Sequence, residues 1–191
     1  DVMSVWSGLG FYSRARNLHK AAKIITENHN KQIPNTYEAL ITLPGIGRST
    51  AGAILSLSRI EPKAILDGNV KRVLARFYSV QGDLKAAETQ KKLWHLAEKC
   101  LPVKDYDLYT QAIMDLGATV CTSKKAMCSM CPLSKDCSAL EKDIVYLLPN
   151  KISCFARLIS ILSFLSEYCA SSSIFFSSKI IGSIPFLKQL L

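Results

Sequence analysis

The stretch Leu43-Pro44-Gly45-Ile46-Gly47-Arg48-Ser49-Thr50-Ala51 constrains the chain more than any other. A short helical pattern, Thr36 to Thr42, leads into it, opened by Pro34 and by Asn35 with Glu38 three residues on. That spacing lets an N-cap side chain and an N3 carboxylate satisfy each other's orphan N–H groups. On the far side Ala53 to Ser58, free of glycine, proline and charge, predicts a buried helix. Glycines one residue apart admit positive φ at both positions and put no Cβ between backbone and ligand. The N–H groups of Gly45 and Gly47, with those opening the next helix, can then converge on one anion. An ordinary turn between two core helices would use the same residues. Arg48 directly after the turn, and a net charge of +9, favour the anion, a nucleic-acid phosphate.

A chain of 191 residues makes one large or two small domains. Its basic residues are dispersed through predicted helices, which points to nucleic acid before membrane as the polyanionic partner. Seven cysteines, an odd number, with four crowded between Cys121 and Cys137 and no secretory signal, describe an intracellular metal site and not a disulfide scaffold. The chain opens on Asp1 in the middle of a pattern, so it reads as a fragment whose N-terminus lies upstream.

Val5 to Tyr12 is a turn with two glycines, followed by Ser13-Arg14-Ala15-Arg16. Phe11 and Tyr12 beside arginines suit stacking on bases or wedging between them; Trp6 fits the core better. A helix is predicted over Ala15 to Asn28, with Leu18, Ala22 and Ile25 inward and Lys20, Lys23 and Glu27 outward, and His19 and His29 solvated or capping. Ala64-Ile65-Leu66 is an apolar approach to Asp67-Gly68-Asn69, and Val70 to Tyr78 is a helix carrying Lys71, Arg72 and Arg76. Asp67 suits an N-cap. Phosphate repulsion makes a carboxylate beside a basic helix costly unless it does chemistry. Helices over Ala86 to Cys100, with Leu93, Trp94, Leu96 and Ala97 buried, and over Asp105 to Ala118, with Tyr109, Ile113 and Leu116 inward, complete an all-α pattern.

Cys121-x6-Cys128-x2-Cys131-x5-Cys137 closes the globular part and predicts metal binding. Structural zinc usually draws on two CxxC-type pairs or on histidine. Here one CxxC is flanked by two lone cysteines and the segment holds no histidine, so an iron–sulfur cubane fits at least as well. Lys124 and Lys125 lie in its first loop, placed to grip phosphate, and Cys100, Cys154 and Cys169 read as free thiols. At Lys151 the composition changes: 18 of the last 41 residues are Ile, Leu or Phe, 10 are Ser and five are charged. Arg157 and Glu167 interrupt any clean apolar span of about twenty residues. The division is therefore a core over 1–150, with a metal loop at 121–137, and an atypical tail over 151–191. The preferred reading of the tail is non-native, such as frame-shifted translation, with a membrane anchor as the alternative.

Taken together, these residues resemble the MutY family of adenine DNA glycosylases, within the helix-hairpin-helix and iron–sulfur glycosylase superfamily. The resemblance runs from about Val5 to Leu148. It rests on Trp6 to Leu18, Leu43 to Ala53, Ile65 to Val73, Met114-Asp115-Leu116-Gly117-Ala118 and the four cysteines, in the family's order and spacing. It implies the helix-hairpin-helix glycosylase fold with a [4Fe-4S] cluster on Cys121, Cys128, Cys131 and Cys137. The implied partner is duplex DNA carrying an adenine mispair, and the activity is removal of adenine opposite 8-oxoguanine or guanine by a monomer in the bacterial cytoplasm. By the family's pattern Asp67 is the catalytic carboxylate, Asn69 its neighbour, and Lys71 a DNA contact alongside Gly45, Gly47 and Arg48. Phe11 stands where the family usually has a wedging tyrosine, which keeps the aromatic face and loses a hydroxyl. Ser49 replaces the lysine that forms a Schiff base in the related endonuclease III branch, and a serine cannot form that imine. The family's general acid is a glutamate well upstream of the glycine turn, before Asp1. Two alternatives remain at this stage: a non-catalytic DNA-binding module, and a bifunctional glycosylase/lyase, against which Ser49 counts.

Overall fold

The computed structural model describes residues 2–149; the expectations for the tail over 151–191 lie outside the described residues. Among the described residues the architecture is helical, with no strand and a single isolated bridge between Cys121 and Ala126. The helices are α1 (Val2–Val5), α2 (Tyr12–Asn28), α3 (Tyr37–Ile41), α4 (Arg48–Leu57), α5 (Gly68–Phe77), α6 (Ala87–Cys100), α7 (Tyr106–Asp115) and α8 (Ser138–Glu141). A π-helical turn, Leu116–Val120, carries α7 into the cysteine loop. No helix of the described residues is long and apolar enough to cross a membrane.

Two apolar clusters organise these helices. The larger surrounds α5, where Val70, Val73, Leu74 and Ala75 pack with Ile65 and Leu66 ahead of the helix, Leu93 and Ala97 of α6, and Ile113 of α7. Valine and leucine at this spacing give α5 a wide apolar stripe, enough to bury it on several sides. The smaller cluster joins α2 to the α3–α4 hairpin through Ala21, Leu40, Leu43, Ala51 and Leu55. Gly52 lets α4 lie against the approach to α5, since a Cβ there would stand 2.7 Å from the Ala64 carbonyl oxygen.

Several local expectations shift. The cap of α3 is Thr36, whose hydroxyl accepts from the Ala39 N–H at 3.4 Å, so Glu38 falls one position short of the N3 site of a capping box. On α2 the buried face runs through Ala15 and Ala21, with Ile24 and Ile25 half-buried, while Leu18 is 56% exposed. Ala21 packs with Leu40, Leu43, Ala51 and Leu55 of the hairpin, and Gly45 comes up against the Asn17 side chain. Helix α5 begins at Gly68, two residues earlier than the pattern predicts, because Asp67 caps it.

Candidate active site and nucleic-acid interface

Asp67 is delivered by two buried residues, Ile65 and Leu66, to the N-terminus of α5. Its Oδ1 accepts the Val70 N–H at 2.8 Å, which satisfies one orphan donor of the helix and fixes the carboxyl group. One residue earlier, the Leu66 N–H donates to Ser49 Oγ at 2.9 Å. That bond ties the first turn of α4 to the segment carrying Asp67, so Ser49 and Asp67 belong to one site. Asn69 sits in the first turn of α5, close against the π-helical turn. A Cβ on Gly117 would stand 2.7 Å from the Asn69 Cβ, so only glycine permits that approach.

The two hairpin glycines do different work. Gly45 has φ +83°, and a Cβ there would lie 2.8 Å from the Asn17 Cβ of α2. Gly47 is extended, at φ −97° and ψ 179°, and serves as the N-cap of α4 with open space where its Cβ would be. The expectation of positive φ at both therefore holds at Gly45 alone. At Gly47 the missing side chain leaves room in front of the N-terminal N–H groups. Arg48 turns away from that opening: its Nη2 lies 2.5 Å from Glu98 Oε1 and its guanidinium carbon 3.7 Å from the centre of the Trp94 ring.

Before α2 the chain makes a left-handed turn, with Gly8 at φ +83°, Gly10 at +69° and Phe11 at +50°. A bulky residue at positive φ is a costly outlier. Phe11 is 74% exposed, with the Arg14 guanidinium 5.1 Å from its ring centre, and Tyr12 follows at 44% exposed. Trp6 holds the turn closed, its Nε1–H donating to the Gly10 carbonyl at 2.9 Å. The strained backbone therefore presents Phe11 to solvent, as a wedge requires.

Cys121, Cys128, Cys131 and Cys137 all line one cavity beside Arg76. Burial, and then the neighbouring thiols of Cys121, Cys137 and Cys131, push the Cys128 thiol pKa up against the lowering influence of Arg76. Among the described residues no three His, Cys, Asp or Glu converge closely enough to share a single ion. Four thiols lining one cavity, with no histidine among the lining residues, are a donor set that fits a thiolate-held metal group. Lys124 and Lys125 are exposed on the same loop, and Lys71 is half-buried in the first turn of α5.

Two further arginines, which the sequence shows only as part of a basic helix face, brace the site. Arg72 donates through Nη2 to Asn69 Oδ1 at 2.8 Å and to the Gly117 carbonyl at 2.5 Å, and through Nε to the Cys121 carbonyl at 2.7 Å. One turn later Arg76, 4% exposed, donates through Nε to the Leu148 carbonyl at 2.8 Å and through Nη1 to the Thr122 carbonyl at 2.7 Å and Cys121 Sγ at 3.3 Å. Helix α5 thus carries Asp67 and Asn69 at one end and grips the cysteine loop with the next two turns. The available signal was Arg76 following Val73, Leu74 and Ala75 in a run too apolar to face water.

The fold thus brings together a hairpin of helices, a capping aspartate and a four-cysteine loop. The profile of the HhH-GPD superfamily base excision DNA repair proteins matches residues 1–99, and the chain belongs to that superfamily. It is 47% identical to the adenine DNA glycosylase of Buchnera aphidicola subsp. Acyrthosiphon pisum, across 81% of this chain and 47% of that protein. It is 40% identical to the human adenine DNA glycosylase, across 74% of this chain and 26% of that protein. The chain thus spans about half or less of the length of these relatives. Among solved structures, a thermostable thymine-DNA glycosylase superposes with a TM-score of 0.63 at 29% identity, covering 74% of this chain and 65% of that one. Endonuclease III in a non-covalent DNA complex shares the fold, with a TM-score of 0.62 at 23% identity, over 75% of this chain and 65% of that one.

Proposed function

We propose that this chain is the catalytic-core portion of an adenine DNA glycosylase, which hydrolyses the N-glycosidic bond of adenine opposite 8-oxoguanine or guanine. The observation that carries the reading is the tie between Ser49 and Leu66, which sets Asp67 beside a phosphate-binding hairpin. The relatives at 40–47% identity support adenine as the base.

A base inside a duplex is out of reach, so the nucleotide must leave the stack, and an exposed aromatic can fill the gap. Phe11, with Tyr12 beside it, is suited to that role. The N–H groups of Gly45 and Gly47, with Lys71, Lys124 and Lys125, hold the backbone phosphates. In the chemical step the C1′–N9 bond breaks with its electron pair going to adenine, which takes up a proton. Water adds its oxygen to C1′ and releases a proton, so the sum is hydrolysis. The sugar passes through an oxocarbenium-like cation, as in glycoside cleavage. Asp67, ionised and held by its cap, stabilises that cation, while Asn69 lines the site under the hold of Arg72. Ser49 offers no amine for a Schiff base, so the strand stays intact. A [4Fe-4S] cluster on Cys121, Cys128, Cys131 and Cys137 would supply a rigid template for the loop bearing Lys124 and Lys125, since hydrolysis itself is redox-neutral. Such an enzyme acts as a monomer on DNA, in a bacterium within the cytoplasmic nucleoid.

The leaving adenine also needs an acid, and a carboxyl group stays protonated near neutrality only in an apolar setting. All six glutamates of the described residues are exposed, and Glu61, Glu88 and Glu98 pair with Lys63, Lys92 and Arg48. General acid catalysis is typically worth about 10²–10⁴-fold. With no such group among the glutamates of the described residues, the chain should bind duplex DNA and release adenine hardly at all, whereas a longer protein of the relatives' full length should release it without nicking. In the longer protein Asp67→Asn should return release to background, and borohydride should trap no adduct. A trapped adduct would make the protein a lyase, and undiminished release by Asp67→Asn would remove Asp67 from the chemistry.

A further inference from the structure

The anchorage of the hairpin lies outside the candidate site. Arg48 is the first residue of α4, and its guanidinium lies over the Trp94 ring and against Glu98. Trp94 and Glu98 are four residues apart on α6, hence on one face of that helix. The other hairpin helix has a counterpart: Lys63 Nζ lies 5.6 Å from the ring centre of Tyr37, the first residue of α3, and 2.8 Å from Glu61 Oε1. Tyr37, Lys63, Arg48 and Glu98 border one cavity. Each half of the hairpin is thus held at its opening residue by a cation on an aromatic ring.

The chemistry of Arg48 suits a clamp better than a phosphate contact. A cation in the first turn of a helix opposes the helix dipole. An acid near bound DNA is repelled by phosphate. Paired, the two charges remove each other's penalty. Stacking and a planar fork are properties of arginine that lysine lacks, whereas a phosphate contact needs only the charge.

We propose that Arg48 is a positioning residue: clamped by Trp94 and Glu98 of α6, it aims the N–H groups of Gly45 and Gly47 at the DNA phosphate without binding phosphate itself. The proposal rests on the reading of the hairpin as the DNA-binding element. It is tested with the full 191-residue chain carrying Arg48→Lys, Arg48→Gln or Glu98→Gln, through duplex binding across a salt series and hydrogen exchange without DNA. Each variant should weaken binding by about two- to fivefold, the range for one half-exposed cation–aromatic contact and ion pair. The slope of affinity against salt should stay that of the parent, since no phosphate contact is lost. Glu98→Gln is the sharpest arm, because deleting a negative charge from a chain of net charge +9 would otherwise tighten binding to a polyanion. The amides of Ile46 and Ala51, bonded to the carbonyls of Leu43 and Gly47, should exchange faster in all three variants.

Full affinity in Arg48→Lys, a slope reduced by about one in Arg48→Gln, or tighter binding by Glu98→Gln would each overturn the proposal. So would unchanged exchange at Ile46 and Ala51. If the parent chain binds no duplex, the DNA-binding reading of the hairpin fails on its own. The exchange rates then still decide whether the clamp exists.

Discussion

The α3–α4 hairpin and the cysteine loop are held in opposite ways. The hairpin is packed: Leu40, Leu43, Ala51 and Leu55 are buried against α2, and its turn closes with a bond from the Ile46 N–H to the Leu43 carbonyl at 3.1 Å. In the loop between Cys121 and Cys137 no residue is buried, and the segment is pinned from outside by Arg72 and Arg76 of α5. One region shapes itself through apolar contacts and glycine geometry. The other is a set of thiols and carbonyls arranged around a cavity by a neighbouring helix. On the proposed reading, a turn that binds phosphate has to keep its shape before the ligand arrives, whereas a loop that holds a cluster would take part of its rigidity from that group.

That contrast can be broken at its strongest point by Arg76→Met. The substitution keeps the aliphatic stem and removes every donor, leaving the Leu148 and Thr122 carbonyls and Cys121 Sγ without their partner. The expected loss is about 3–5 kcal/mol, since each buried acceptor left without its donor costs about 1–3 kcal/mol. Denaturation of anaerobically purified protein measures it. Iron content should fall from about four atoms per chain, because Cys121 is no longer held at the cavity. Stoichiometric zinc in the parent protein would show that the loop is built for another metal.

A smaller effect is expected in the hairpin, where the two glycines separate folding from binding. Gly45→Val forces a β-branched residue to positive φ and drives its Cβ into Asn17, so about 2–4 kcal/mol of stability should be lost. Gly47→Ala should leave the melting temperature near that of the parent, since φ is ordinary and the space is open. It should still weaken DNA binding, because the added methyl stands where a phosphate approaches. Equal melting shifts for the two variants would erase the distinction between them.

Much of this organisation is legible in the sequence where a residue's role depends on near neighbours. The hairpin, the capping Asp67 and the four-cysteine spacing are local patterns, and the helices fall within a few residues of their predicted bounds. What is hidden depends on partners far along the chain. Arg48 reads as a phosphate contact because Glu98, fifty residues away, is invisible from Pro-Gly-Ile-Gly-Arg. Arg72 and Arg76 read as a basic face because their acceptors, Gly117, Cys121, Thr122 and Leu148, lie more than forty residues on. Leu18 reads as core by periodicity, yet it is Ala21 of that helix that packs with the hairpin. Gly45 and Gly47 look equivalent in sequence, and only the packing of Asn17 separates them.

The site is proposed to belong to an adenine glycosylase, although a thymine-DNA glycosylase also shares its fold. The direct measurement is the identity of the free base released. The longer protein of the relatives' full length is mixed in excess with duplexes carrying adenine opposite 8-oxoguanine or thymine opposite guanine, and the released base is identified by mass spectrometry. Free adenine from the first duplex, none from the second, and strands that break only on alkali treatment are the expected result. Release of thymine, or of neither base while both duplexes are bound, would contradict the account.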